Sequence, residues 1–317
     1  MTRTLRMGLG LALALYCGTA MAIDFYGRSF DCAPNQTVFV SGFQRYARIK
    51  DSDGAAKTKY NPTALALGYV WQQDNWKAGA AFTWEHGRRK YDYATSGYSG
   101  NSKVRSDLYG VSLFGTVNLV NDWYVDASTF LGYRSTRMKD LRINGMGNIG
   151  DSGKESSTVF ALILEGGKNF LLGDGFVVTP HAGIDYAYTP GERYHERRGL
   201  VSANVSIDSQ NYWEVPLGVS LKKTFACGNW SLTPKVDATF VTSVGHIKSK
   251  NAQPGFAYRT ADSWKVAGIG GNHYGARLTT GVDAKLGDRT SVGLDYTYEG
   301  RKDYNDHRVS AMFGLSF

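Results

Sequence analysis

Polar and apolar residues alternate along the last eleven residues of the chain, 307–317 (HRVSAMFGLSF). One face would carry the apolar and aromatic side chains at the odd positions from 309 to 317, and the other face mostly polar or small ones. A period of two predicts a β-strand. In a water-soluble sheet, an apolar strand ending on Phe317 would form an exposed, aggregation-prone edge. A closed membrane barrel has no edge. The pattern therefore predicts a transmembrane β-barrel.

The same alternation recurs upstream and predicts about twelve strands, at 37–49, 63–73, 76–86, 106–120, 123–137, 156–172, 176–188, 212–225, 229–246, 273–286, 289–299 and 307–317. Every second connection is a tight turn rich in Gly, Asn and Asp, which tolerate positive φ. The intervening connections are long and polar, notably 87–105, 138–155, 189–211 and 247–272. An even strand number with alternating short and long connections is typical of bacterial outer-membrane barrels. We therefore predict an all-β antiparallel barrel of about 12 strands over residues 37–317.

The first 22 residues have the pattern of a secretory signal peptide. Arg3 and Arg6 precede an apolar core at 8–16, and Ala20-Met21-Ala22 fits a cleavage site. That core is too short to span a bilayer. We expect cleavage after residue 22, a short periplasmic or lumenal segment at 23–36, and a barrel in the outer membrane of a Gram-negative cell.

Aromatic residues lie near both ends of the predicted strands, where Trp and Tyr side chains favour the membrane interface. Trp76, Trp123 and Trp230 directly follow short turns. The ends near the long connections carry Trp84, Tyr186, Tyr188, Tyr212, Trp213, Tyr296 and Tyr298. Aromatic packing in a soluble β-sandwich is the alternative, but placement at both strand ends favours the membrane barrel.

Charged side chains are expected inside the barrel, on the face opposite the apolar one. The alternation assigns to the lumen Lys77, Glu85, Asp126, Arg134, His181, Asp185, Lys235, Asp237, Arg277, Asp283 and Lys285. These residues carry both signs, which predicts a hydrated or network-filled interior, since a pore selective for one ion type would favour a single sign.

Two segments resemble a known family, the β-barrel translocator domain of autotransporters (type V secretion). They are residues 212–241 (YWEVPLGVSLKKTF…GNWSLTPKVDATFV) and 291–317 (SVGLDYTYEGRKDYNDHRVSAMFGLSF), with a weaker likeness at 108–137. The resemblance extends from about residue 37 to the end. It implies a twelve-stranded outer-membrane pore for protein secretion and a terminal strand, with Phe313, Leu315 and Phe317, that the barrel assembly machinery recognises during insertion.

The segment ahead of the barrel departs from the family pattern. Family members carry a large passenger joined through a helix in the pore, whereas residues 23–36 contain Pro34 and no helical periodicity. We therefore expect a translocator barrel without its own passenger. A passive porin-like channel and a surface protein whose long loops mediate adhesion or other interactions are the alternatives.

Cysteines supply one candidate site. Cys32 and Cys227 both lie at the predicted periplasmic rim, and the oxidising periplasm favours a disulfide between them. Two separate thiols are the alternative.

Basic residues supply a second candidate site, in the predicted second long connection. They are Arg88, Arg89, Lys90, Lys103 and Arg105. Close to the bilayer, these residues could pair with phosphates of lipopolysaccharide. Ordinary solvated loop charge is the alternative.

No arrangement of residues suggests catalysis. No nucleophile has a base and an orienting group within reach, and no cluster of His, Cys or carboxylates has the spacing of metal ligands. We therefore predict no enzymatic activity, no cofactor and no metal. Despite the net charge of +8, nucleic acid is not expected as a partner of a membrane barrel. We expect a monomeric barrel in contact with outer-membrane lipid.

Overall fold

Twelve long antiparallel strands build the structure, a computed structural model that describes residues 36–49, 57–95, 98–143, 147–150, 154–190, 192–198, 201–207, 209–246, 274–302 and 304–317. The strands are β1 (Gln36–Ile49), β2 (Lys57–Gln73), β3 (Trp76–Thr95), β4 (Tyr98–Asn118), β5 (Trp123–Ile143), β6 (Lys154–Lys168), β7 (Phe176–Thr189), β8 (Gln210–Lys223), β9 (Trp230–His246), β10 (Tyr274–Leu286), β11 (Thr290–Arg301) and β12 (Tyr304–Ser316). The predicted signal peptide and residues 23–35 lie outside the described residues.

Each strand pairs with its neighbours in sequence, and β12 pairs with β1, so the sheet closes into a barrel. Val38 lies opposite Leu315, and the register continues to Ile49 opposite Tyr304. The N–H of Phe317 also donates to the carbonyl oxygen of Gln36, 3.0 Å away. The predicted closed antiparallel barrel of about twelve strands is confirmed.

The tight turns use the residues that tolerate a left-handed backbone. Asn121, Asp122 and Asp174 adopt φ values of 60–63°, and glycines at 175, 228 and 287 also have positive φ. These positions fall in the predicted short connections. A side chain branched at Cβ would be strained at any of them.

Several strands are longer at the external end than predicted. β3 continues to Thr95 and β4 begins at Tyr98, so most of the predicted connection 87–105 is a strand hairpin. The predicted connection 189–211 contains a smaller hairpin, Glu192–Arg198 paired with Val201–Ile207. Pairing continues there because a hairpin can satisfy its backbone hydrogen bonds outside the membrane as well as within it. The connection 247–272 lies outside the described residues.

The outer face carries an apolar band. Leu67, Phe82, Val111 and Leu131 lie directly opposite one another on β2 to β5, and all four are about half exposed. Trp123, Trp213 and Trp230 are also exposed, near the strand ends. Such a band requires an apolar solvent, as a lipid-facing surface does. None of the described residues forms a helix long and apolar enough to cross a membrane.

Tyr212 is an exception among the predicted interface aromatics. Its side chain is buried in the lumen, because it falls on the inward face of β8 together with Glu214. Its neighbour Trp213 faces outward, as predicted.

Candidate functional site in the barrel lumen

The lumen is lined by polar and charged side chains that alternate with the lipid-facing ones. All eleven predicted lumenal residues lie on the inward, buried or half-buried face of their strands. Both signs are represented among the described lumenal residues. The basic ones include Arg45, Lys77, Arg89, Arg134, Lys235, Arg277, Lys285, Arg301 and Arg308, and the acidic ones include Glu85, Asp126, Glu165, Asp185, Glu214, Asp237, Asp283, Asp295, Glu299 and Asp306. The predicted mixed-charge interior is therefore confirmed.

Near the external end, two arginines and two glutamates form a closed ring of ion pairs. Arg277 contacts Glu214 (Nη2–Oε1, 2.8 Å) and Glu299 (Nε–Oε2, 3.2 Å). Arg301 contacts the second oxygen of each carboxylate, at 2.5 and 2.8 Å. The ring joins β8, β10 and β11 across the lumenal wall. The two positive and two negative charges balance, so the net charge of the ring is zero at this level of the lumen.

Tyr212 and Ser243 extend this ring to β9. The Tyr212 hydroxyl donates to Glu214 over 2.9 Å and also bonds Ser243. Arg301 donates to both hydroxyl oxygens. Four consecutive strands are thereby cross-linked by polar contacts at the external end.

Deeper in the lumen, two polar side-chain contacts each pass over a glycine on the strand between their partners. His181 on β7 reaches Asp237 on β9 (Nε2–Oδ2, 2.7 Å) across Gly218 on β8. A Cβ at Gly218 would lie 2.5 Å from His181 Nε2, so only glycine leaves room for this contact.

Lys235 on β9 reaches Asp295 on β11 in the same way, across Gly281 on β10 (Nζ–Oδ1, 3.0 Å). Lys235 also contacts Asp283, 2.9 Å away on β10. A Cβ at Gly281 would collide with the Asp295 carboxylate. The two glycines therefore let polar side chains join strands that are not hydrogen-bonded neighbours.

A further buried pair lies beside the ring at the closure of the barrel, where Asp306 on β12 is directly opposite Glu299 on β11. Arg45 on β1 donates through Nε to both carboxylate oxygens of Asp306 on β12, 2.8 Å away, and both side chains are almost fully buried. Arg45 also donates to the hydroxyl of Tyr304. The strands that close the ring are thus joined by a charged contact as well as by backbone hydrogen bonds.

An apolar cluster occupies the lumenal face of β1 to β4 and β12 toward the periplasmic end. It comprises Phe39, Ala66, Val70, Ala81, Phe114 and Met312. The rings of Phe39 and Phe114 meet edge to face, 6.1 Å apart. The lumen is therefore polar on one side and partly apolar on the other.

Sequence alternation missed Arg301 and Arg45 as lumenal residues. Arg301 was expected in an external connection because β11 was predicted to end at Glu299, whereas the strand continues to Arg301. Since Arg301 stands two residues after Glu299, the period of two could have placed both on one face.

The predicted basic site is divided between the two faces of the barrel. Arg88, Lys90, Lys103 and Arg105 are exposed on the outer face of the β3–β4 hairpin. Arg89 points into the lumen, where its guanidinium lies 4.2 Å from the centre of the Tyr60 ring. Arg89 therefore does not belong to the lipid-facing set, because neighbouring residues on a strand face opposite sides.

The predicted assembly signal lies at the carboxyl end of β12. Phe313, Leu315 and Phe317 are exposed on the outer face of the last strand, and their role in assembly stays a prediction. Cys32 lies outside the described residues, as does the side chain of Cys227, so the predicted disulfide also stays a prediction. Among the described residues, no three His, Cys, Asp or Glu side chains form a group able to hold a metal.

Comparison with known proteins gives one family match, to the model described as autotransporter beta-domain, over residues 38–297. Outer membrane protein B of Rickettsia rickettsii is 25% identical over 222 residues, which are 67% of this chain and 13% of the relative. The Rickettsia typhi protein of that name is 24% identical over 292 residues, 88% of this chain and 17% of the relative. The chain thus spans less than a fifth of the length of these relatives.

Solved structures with the same fold include two autotransporter barrels. The beta domain of the Bordetella autotransporter BrkA has a TM-score of 0.66 at 19% identity and covers 90% of this chain and 100% of that chain. The transport unit of AIDA-I from Escherichia coli has a TM-score of 0.64 at 14% identity and covers 99% of this chain and 100% of that one. At these identities the likeness concerns the fold.

Proposed function

Because the chain belongs to the autotransporter β-domain family, we propose that it acts as a translocator in the outer membrane and passes polypeptide through its lumen. The observation that carries the proposal is a closed barrel whose lumen is lined by paired charges of both signs. The predicted signal peptide would be cleaved on export, and the barrel assembly machinery would insert the mature chain.

The width of the barrel suits a single polypeptide segment. Twelve strands about 4.8 Å apart and tilted by about 40° enclose a backbone cylinder roughly 24 Å across. Lining side chains reduce the free width to roughly 12 Å, about the diameter of one α-helix with its side chains. A folded domain would not fit, so any passenger would cross unfolded or as a single helix.

The charge pattern of the lumen also suits this role. A passing polypeptide presents both signs and many uncharged groups, so a wall with one strong sign would retain it. Internal ion pairs such as Arg277–Glu214 satisfy the charges of the wall within the wall itself. Such a lining offers few fixed points of attachment for a moving chain.

Surface display of a fused reporter tests the proposal. A long disordered reporter with an epitope at its amino end would be inserted before Gln36, and antibody binding would be measured on intact cells. We expect the epitope to reach the surface. The same epitope placed in the short turn at Gly228 should stay inaccessible until the outer membrane is opened. A correctly folded barrel that leaves the first epitope in the periplasm would overturn translocation.

A passive channel is the second candidate, because the same lumen is polar along one wall. Planar-bilayer recording of the refolded barrel distinguishes it, since a channel predicts discrete conductance without any passenger. A silent bilayer would end this alternative.

A further inference from the structure

The outer face of the barrel holds a lysine between two aromatic rings at the end that carries the short turns. The ammonium group of Lys168 on β6 lies 5.6 Å from the centre of the Trp123 ring and 5.1 Å from the centre of the Phe170 ring. Trp123 begins β5 directly opposite Lys168. Asp122 precedes Trp123 in the turn, and its carbonyl oxygen accepts a hydrogen bond from the N–H of Asn169, 2.9 Å away. A carboxylate-bearing residue therefore stands next to the lysine along the strand.

The same arrangement recurs two strands further on. The ammonium group of Lys223 on β8 lies 4.4 Å from the centre of the Phe176 ring and 5.2 Å from the centre of the Phe225 ring. Phe176 begins β7 directly opposite Lys223, and Asp174 lies in the turn before it. We call the two arrangements the lysine sites, which comprise Asp122, Trp123, Lys168 and Phe170 in the first and Asp174, Phe176, Lys223 and Phe225 in the second.

Each lysine site offers one positive and one negative group to a ligand. A cation within about 6 Å of a ring centre is attracted by the ring, so the rings hold both ammonium groups in place. Asp122 and Asp174 are exposed. Among the described residues, neither lysine forms an ion pair with these carboxylates. Both charges of a site are therefore accessible side by side.

The lysine sites lie at the border between the apolar band and water. Leu164 and Leu221 lie deeper on the strands of the two lysines and are exposed on the same face. The turns with Asp122 and Asp174 lie on the other side of the lysines. Trp side chains favour this level of a membrane, and a lysine there extends its ammonium group to the headgroups. Short turns of bacterial barrels face the periplasm, so the adjoining leaflet is the inner one.

We propose that each lysine site binds a zwitterionic aminophospholipid of the inner leaflet, such as phosphatidylethanolamine. The lipid phosphate accepts a charge-assisted hydrogen bond from the lysine ammonium group, and the lipid amine donates to the aspartate carboxylate of the turn. The glycerol and acyl chains cover the aromatic rings and the apolar side chains below them. A phospholipid without an amine would satisfy the lysine but would leave its negative charge beside the aspartate.

Native mass spectrometry of the refolded full chain, released from detergent micelles, tests the proposal. We expect up to two phosphatidylethanolamine molecules per barrel, bound roughly fivefold more tightly than phosphatidylglycerol. Lys168→Gln with Lys223→Gln should weaken binding at each site about fivefold, as expected for one lysine next to a lipid phosphate. Wild-type binding by this variant would overturn the lysine sites.

A matched control removes two basic residues of the outer face at the opposite end of the barrel, with Lys59→Gln and Arg88→Gln. It has the same net charge as the lysine variant and should bind like the wild type. Equal loss in both variants would show a general charge effect and overturn the sites. Heat-modifiable migration on gels confirms that each variant is folded.

The aspartates test the assignment to an aminophospholipid. Asp122→Asn with Asp174→Asn keeps residues that tolerate the positive φ of both positions. This variant should bind phosphatidylethanolamine and phosphatidylglycerol equally well, because the amine has lost its carboxylate. Equal binding of the two lipids by the wild type, or an unchanged preference in the variant, would contradict the assignment.

Soluble phosphoethanolamine separates the lipid from its headgroup alone. We expect it to displace phosphatidylethanolamine only at a large excess, because it lacks the acyl chains that contact the apolar surface. Displacement at concentrations comparable to that of the lipid would show that the sites recognise a soluble headgroup, and the assignment to a membrane lipid would be wrong.

Discussion

Replacing Gly218 by alanine tests whether glycines on the lumenal face are required for side-chain contacts that span three strands. The new Cβ would lie 2.5 Å from His181 Nε2 and 2.6 Å from Thr239 Oγ1. His181 must then leave Asp237, which it contacts at 2.7 Å. Overpacking costs about 1–3 kcal/mol, and a hydrogen bond to a charged group contributes about 1.5–3 kcal/mol.

The cost of overpacking and the loss of the hydrogen bond are not independent, because moving the His181 imidazole relieves the clash but breaks its hydrogen bond to Asp237. Alanine also lowers the conformational entropy of the unfolded chain, which offsets about 0.4–1 kcal/mol of the lost stability. We therefore expect a net loss of about 2–4 kcal/mol in the free energy of unfolding. Urea unfolding of the refolded barrel in lipid vesicles, followed by tryptophan fluorescence, measures it.

Gly166→Ala is the matched control. A Cβ there would approach the nearest atom, the carbonyl oxygen of Tyr124, no closer than 3.6 Å. We expect this variant to change stability by less than ~1 kcal/mol. Adding His181→Ala to Gly218→Ala should restore part of the lost stability, because the clashing ring is gone. Equal stability of the two glycine variants, or additive losses in the double variant, would refute the reasoning.

Three further perturbations test other parts of the barrel. Deleting Phe317 should lower the amount of heat-modifiable barrel in the outer-membrane fraction, and normal insertion would contradict a role of the last residue in assembly. Asp306→Ala leaves the Arg45 guanidinium buried without its carboxylate, and we expect urea unfolding to show a loss of about 3–5 kcal/mol in the free energy of unfolding. A loss below ~1 kcal/mol would show that other groups compensate the charge of Arg45. Glu214→Gln with Glu299→Gln leaves the arginines of the external ring without counter-charges, so any conductance should shift toward anions, and an unchanged reversal potential would contradict this.

The alternation of residue types was sufficient to predict the number of strands and most of their lipid-facing and lumenal residues. Within the membrane, each strand has lipid on one side and the barrel interior on the other, so a period of two persists there. The same rule assigns Arg88 to the outer face and Arg89 to the lumen, but only if both residues are known to lie in a strand. The sequence predicted a connection there instead of a strand, because the β3–β4 hairpin is polar on both faces beyond the membrane.

The partners of lumenal charges could not be predicted in the same way. Alternation states which face a residue occupies, whereas its partner depends on the register between strands that are far apart in the sequence. The contact of Lys235 with Asp295 requires three strands in register and a glycine between them. No local sequence pattern predicts that these three strands are in register with a glycine between the two charged residues.

The hydrogen-bonded pairing of β1 with β12 also has a kinetic consequence. Thr37 and Ser316, whose hydroxyls meet at 2.8 Å, are separated by 279 positions in the chain. Contacts between such distant positions carry a large loop-closure entropy and form late in folding. Until the last strand arrives, both edges of the sheet are open to wrong partners. The barrel therefore cannot close until β12 is available to pair with β1, so the arrival of β12 sets the moment at which the ring is complete.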